Sequence, residues 1–176
     1  MFTLLHFGFE LFKIAVLTAV YSLFIYSIYF AFREINSKRK FIRFRYWLIY
    51  PSVYSILTIY SFTYFGNHGL GDESYLPLGD YQTMYATDDY AFFTFKDTSR
   101  TISVDSFLVK NDSVCMASAN TYYVYDLGAD TMKKFENKNV YERYASDHSL
   151  PLINHFKKFY ELYNDYWNGW RFWVLP

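Results

Sequence analysis

The sequence predicts a membrane α-helical hairpin of two transmembrane helices followed by a small α+β extracytoplasmic domain. That domain is expected to combine an antiparallel sheet with a C-terminal amphipathic helix. Three observations predict this architecture. Two charge-free apolar runs occupy residues 14–32 and 46–65. A basic stretch, residues 33–45, separates them. The remaining chain is acidic and changes from strand-like to helix-like patterning.

The formal net charge of zero hides an asymmetry. Residues 1–66 hold seven basic side chains against Glu10 and Glu34, whereas residues 67–176 hold ten basic against fifteen acidic. A split of this kind indicates two environments. Aromatic residues make up 24% of the chain and lie in both halves, so they do not discriminate between core packing and recognition surfaces. Cys115 is the single cysteine, which excludes an intrachain disulfide and a cysteine metal cluster.

Residues 14–32 would form a helix about 28 Å long, close to the hydrocarbon thickness of a bilayer. The run is read as a span and not as a cleaved signal, because no small-x-small site follows it. Ahead of it, His6, Glu10 and Lys13 fall on one helical face and suit an emerging interfacial segment. Ala15, Ala19 and Ser22 share another face, where small side chains let a second helix approach.

Six of the thirteen residues in 33–45 are basic: Arg33, Lys38, Arg39, Lys40, Arg43 and Arg45. Before residue 14 the only basic residue is Lys13, and after residue 65 the next is Lys96. Short basic loops stay cytoplasmic, so this stretch is placed inside, against anionic headgroups, with both ends of the chain outside the cytoplasm. Nucleic acid is not needed to explain these charges. The second run, 46–65, carries Pro51 near its cytoplasmic end and Trp47 at headgroup level. Ser52, Ser55, Thr58 and Ser61 make a mildly polar stripe, read as helix packing against the first span.

Residues 67–80, rich in glycine, are expected to be an exit linker, leaving 81–176 as the outer domain. Gly69 and Gly71 match a nucleotide-binding fingerprint only superficially, since no strand precedes them. Strands are predicted over 81–86, 90–96, 101–110, 114–119, 121–127 and 131–135. The alternation in 101–110 slips phase between Val104 and Phe107, as a bulge would cause. Asn139 with Glu142 resembles a capping box for a short helix to about residue 145. Ser149 is expected to cap a longer amphipathic helix that runs to Gly169. Trp167, Trp170 and Trp173, three apart with Arg171 among them, are candidate interface residues on a partner or the membrane, or else pack on their own domain.

The chain is not read as an enzyme, and no cofactor or metal is assigned. Asp147, His148 and His155 are the nearest approach to a metal set, but their spacing fits no zinc pattern. A nucleophile elbow and a P-loop are both missing. The expected function is therefore protein recognition by the outer domain of an inner-membrane protein. Such a protein could be an accessory subunit of an envelope complex or an immunity-type protein. The alternative is an oligomeric channel or transporter component built from the hairpin. The expected partners are membrane lipids and a protein, without nucleic acid.

Overall fold

A computed structural model describes residues 2–35, 46–69, 72–79, 81–96 and 100–176. The chain divides into two compact units, one of residues 1–67 with 170–176 and one of residues 68–169.

The first unit is helical. Helix α1 runs over Phe2–Ile35 and α2 over Ile49–Ser61, the latter preceded by a 3-10 turn at Tyr46–Leu48. Pro51 lies in the first turn of α2, where its missing N–H costs no helical hydrogen bond. α2 ends four residues short of the expected run. The N–H groups of Phe62 and Thr63 bond to the carbonyls of Ile59 and Tyr60 three residues back, at 3.1 and 2.9 Å. Gly66 then packs so closely on Tyr60 that a Cβ would lie 2.2 Å from its carbonyl oxygen. The thirteen residues of α2 span about 20 Å, below a bilayer's hydrocarbon thickness. Among the described residues, one helix, over Leu4–Glu34, is long and apolar enough to cross a membrane. Its last turn carries Arg33 beside the carbonyl end of the helix, where a cation is favourable. Lys38, Arg39, Lys40, Arg43 and Arg45 lie outside the described residues.

The second unit contains two four-stranded antiparallel meanders. Sheet A orders β1 (Glu73–Pro77), β2 (Thr83–Thr87), β3 (Tyr90–Thr94) and β4 (Thr101–Val104). Sheet B orders β5 (Ser106–Lys110), β6 (Ser113–Ser118), β7 (Thr121–Asp126) and β8 (Thr131–Phe135). One core joins their inner faces: Met84, Ala86, Phe93 and Val104 from sheet A meet Phe107, Val114, Met116 and Tyr125 from sheet B.

Turn chemistry sets the registers. Lys110 pairs with Ser113 across Asn111-Asp112, whose φ values of 51° and 55° are those of a type I′ hairpin. In the four-residue loop after β7, Asp126 Oδ1 accepts the N–H groups of Gly128 and Ala129 at 3.0 and 2.8 Å.

Four features differ from the sequence expectation. The residues expected as a linker contain β1, an edge strand that tolerates Pro77 at its end. The Tyr75 N–H donates to His68 O at 3.0 Å and its carbonyl accepts Trp167 Nε1 at 2.9 Å, so this edge is covered. The phase slip in 101–110 is not a bulge within one sheet. Asp105 is the crossing point between sheets: Val104 pairs with Ala91 in sheet A, while the Asp105 N–H already bonds to Ala117 O in sheet B at 2.8 Å.

The remaining two differences concern helices. α3 spans Lys138–Asp147 and is capped by Asn137, whose Oδ1 accepts the Asn139 N–H at 2.8 Å. Glu142 pairs instead with Lys138 at 3.7 Å. Ser149 starts no helix. It adopts φ 55° and closes α3, with Leu150 N–H on Ala145 O at 2.8 Å and Ser149 N–H on Ser146 O at 3.3 Å. This is a Schellman closure. The chain then runs past a 3-10 turn at Ile153–His155, and Lys157 exchanges two backbone hydrogen bonds with Phe107 on the edge of β5. Only afterwards does α4 form, over Phe159–Trp167, with Phe159 in the inter-sheet core. A five-residue helix, α5, follows at Trp170–Val174 and belongs to the helical unit.

A buried polar knot sits inside the sandwich. Gln82 is fully buried, and its Nε2 donates to Tyr125 Oη and to Leu127 O, both at 3.3 Å. The Tyr125 hydroxyl in turn donates to Asp130. Burial, reinforced by the bond to Asp130, pushes the Tyr125 phenol up from 10.0 to about 12. Because the fold favours the neutral phenol, this contribution is complete below about pH 10 and is lost as pH rises through about 12. Thermal melts of the wild-type protein should therefore show stability falling across that window. Tyr125→Phe, which has no phenol to ionise, should flatten the decline, and an identical slope in both proteins would refute the assignment.

Candidate functional site

Sheet B turns its second face outward, and α3 covers only part of it. Cys115 and Val124 on that face pack under Tyr141 and Ala145 of α3, together with Tyr122, Phe135 and Phe156. Burial raises both the Cys115 thiol and the Tyr141 phenol above their ordinary values, so both stay neutral and structural. The Tyr141 hydroxyl donates to Pro151 O at 2.7 Å.

Because α3 ends at Asp147, the far end of the same face stays open. Strand register aligns Ser113, Asp126 and Thr131 across β6, β7 and β8, and places Lys133 opposite Val124. The helix terminus supplies Tyr144, His148 and Leu150 as the facing wall. Between them lies a groove of about 290 Å³.

The groove's polar groups are pre-positioned. Lys133 Nζ donates to Tyr144 Oη at 3.0 Å and lies 4.7 Å from that ring's centroid. The Tyr144 and His148 rings stack with centroids 3.9 Å apart and planes 26° from parallel. His148 Nδ1 sits 2.9 Å from Tyr144 O, and a carbonyl can only accept, so Nδ1 carries a proton. The groove thus holds an ammonium, an oriented imidazole, hydroxyls of Ser113 and Thr131, and the carboxylate of Asp126. Chemically it can receive a polar group by hydrogen bonding.

No family model, curated protein or solved structure matches the chain.

The sequence-derived candidates are distributed as follows. His148 lines the groove, while His155 is exposed on the later 3-10 turn and does not. Lys133, Asp126 and Tyr144 were not singled out by sequence reasoning. The outward alternation of two adjacent hairpins, combined with the end of α3, is the signal that could have found them. In the helical unit, the most buried side chains of α1 are Ile14, Leu17 and Thr18, whereas Ala19 is exposed and Ala15 is half-buried. Ala15 takes part through its backbone, its carbonyl accepting Tyr50 Oη of α2 at 3.3 Å. Ser22 Oγ is buried with no hydrogen-bond partner among the described residues. Ser55 and Thr58 donate to the carbonyls of Pro51 and Tyr54, both at 2.8 Å, so their hydroxyls are satisfied within their own helix. Trp167 is buried at 7% exposure and belongs to the sandwich. Trp170 and Trp173 are exposed.

Proposed function

We propose that the chain is an integral protein of the cell (inner) membrane, held by α1 and α2, with the sandwich outside the cytoplasm recognising another protein. The surface of α1 is the observation that carries the membrane part. Val20, Leu23, Phe24, Phe30 and Phe32, all within the charge-free run, are each more than half exposed, on a helix whose most apolar 18-residue stretch is only 17% buried. A core helix of a water-soluble protein would bury such side chains, and an apolar surface of this length is stable only against lipid or another protein. A signal sequence also has this composition. The basic residues after α1 favour retention as a hairpin, oriented with residues 33–45 in the cytoplasm.

The recognition part rests on the groove. A small sandwich with a polar, pre-organised groove fits an accessory subunit of an envelope complex or an immunity-type protein that meets an incoming toxin. The alternative of an oligomeric conducting path gains no free donor from Ser55 and Thr58, whose hydroxyl hydrogens already go to helix carbonyls.

The test is affinity purification of the full chain from detergent-solubilised membranes of the native host, in parallel with Lys133→Glu and His148→Ala. A stoichiometric protein partner recovered with the wild type and reduced about tenfold or more by Lys133→Glu is expected, since losing one charge-assisted contact costs roughly 1.5–3 kcal/mol. Recovery of no partner, or equal recovery with both variants, would remove the groove from the recognition reading.

A further inference from the structure

We propose that α5 is a second membrane contact, a short aromatic helix whose Trp170 and Trp173 rings sit at headgroup level in the outer leaflet beside α1. The proposal rests on the anchoring reading above and adds a site to it. Gly169, at φ 93°, separates α4 from α5, and so divides the three rings between two environments. Trp167 goes into the sandwich, its Nε1 bonded to Tyr75 O. Trp170 and Trp173 emerge 65% and 75% exposed, with Phe172 at 41% between them. If α5 simply closed a core, its largest side chains would be its most buried ones.

The position of α5 along α1 supplies the occupant. Phe172 lies under Lys13 Nζ, 4.8 Å from the ring centroid, and the Val174 carbonyl accepts the hydroxyl of Tyr21. Lys13 is the last charged residue before the charge-free run 14–32, which is where a span meets the headgroups. Tyr21 is eight residues further on, about 12 Å deeper along the helix axis. α5 therefore occupies the interfacial zone and the top of the hydrocarbon, the depth reached by in-plane amphipathic segments. Its composition suits that zone: Trp is favoured at headgroup level, and Arg171 lies 5.0 Å from the Trp170 ring. A second copy of the chain would also cover exposed rings. The bilayer is preferred because α5 already lies against α1, a helix long and apolar enough to cross it.

The four tryptophans make the test internal. The full chain is reconstituted in phosphatidylcholine vesicles whose acyl chains are brominated near the headgroup, and tryptophan quenching is compared between wild type and Trp170→Phe/Trp173→Phe. The double variant alters only exposed rings and keeps Trp47 and Trp167. The intensity lost to quenching is expected to fall by about two-thirds in the variant, because two of the three lipid-level rings are gone. Equal quenching, with Trp47 still quenched, would overturn the α5 proposal while leaving the anchor intact. No quenching in either protein would overturn the anchoring reading itself. Trp47→Phe in the same vesicles separates the remaining signals, and loss of all quenching in that single variant likewise refutes a lipid-facing α5.

Discussion

Tyr141→Ala is expected to destabilise the folded protein by about 3–5 kcal/mol, the range for emptying a large aromatic site in a core. Tyr141 is fully buried and is the centre of the layer that α3 adds to sheet B. Its ring stacks on Tyr122 at 5.5 Å and meets Phe135 and Phe156 edge-on, each at 5.8 Å. Its hydroxyl satisfies the carbonyl of Pro151, so the residue also pins the chain after the Schellman turn. Tyr141→Phe keeps the ring and removes only the donor. It should cost about 1–3 kcal/mol, the desolvation penalty of a buried carbonyl left without a partner. Denaturant titration of the full chain in detergent, followed by near-ultraviolet circular dichroism, measures both. A Tyr141→Ala loss below about 1 kcal/mol would mean that the outer layer is not part of the cooperative unit. The same variant should widen and loosen the groove, because Tyr144 and His148 follow Tyr141 on the same short helix.

How far these features can be read from sequence depends on the range of the interactions that set them. Hairpin turns are local, and Asn111-Asp112 and the 126–131 loop announce themselves by residue type. The inward alternation of β2, β3, β6 and β7 is equally plain. β1 was hidden because glycines and Pro77 surround it, and what makes it a strand is its long-range pairing of Tyr75 with Tyr85. The slip at Asp105 was visible as a phase change, yet a bulge and a change of sheet leave the same mark on one strand. Only the hydrogen bond from the Asp105 N–H to the Ala117 carbonyl in the other sheet distinguishes them.

Ser149 illustrates a different limit. A serine ahead of Leu-Pro reads as an N-cap, but Pro151 biases Leu150 away from helical geometry, and Leu150 gains more by packing back on α3. The apolar residues expected on one helical face were then divided: Leu152 and Phe156 went to the outer layer, Phe159 and Trp167 to the sandwich. The groove was the least legible feature, because three strands and a helix terminus converge on it from positions up to 39 residues apart.

Leu23→Arg/Phe24→Arg is expected to abolish stable membrane integration, and the sign of its effect separates the environments open to α1. Both residues lie at the middle of the charge-free run and are 67% and 63% exposed. On the surface of a water-soluble protein, each change would replace an exposed apolar group by a charged one and shift stability by no more than about 0.5 kcal/mol in either direction. At the centre of a bilayer each arginine instead costs roughly 2.5–3.5 kcal/mol in insertion free energy, and the pair shares one level of the helix, so snorkelling cannot relieve both fully. Leu4→Arg provides the control: it is equally accessible, at 79% exposure, but lies at the end of the helix, where an arginine reaches the headgroups. Membranes from cells expressing the three proteins are washed at alkaline pH, and the pelleted fraction is compared. The wild type and Leu4→Arg should remain with the membrane, and the double variant should be released or degraded. Determining the N-terminal sequence of the pelleted wild type resolves the remaining possibility. If residues 2–35 have been removed, α1 served as a signal and α2, only about 20 Å long, would have no partner with which to hold the chain in the bilayer.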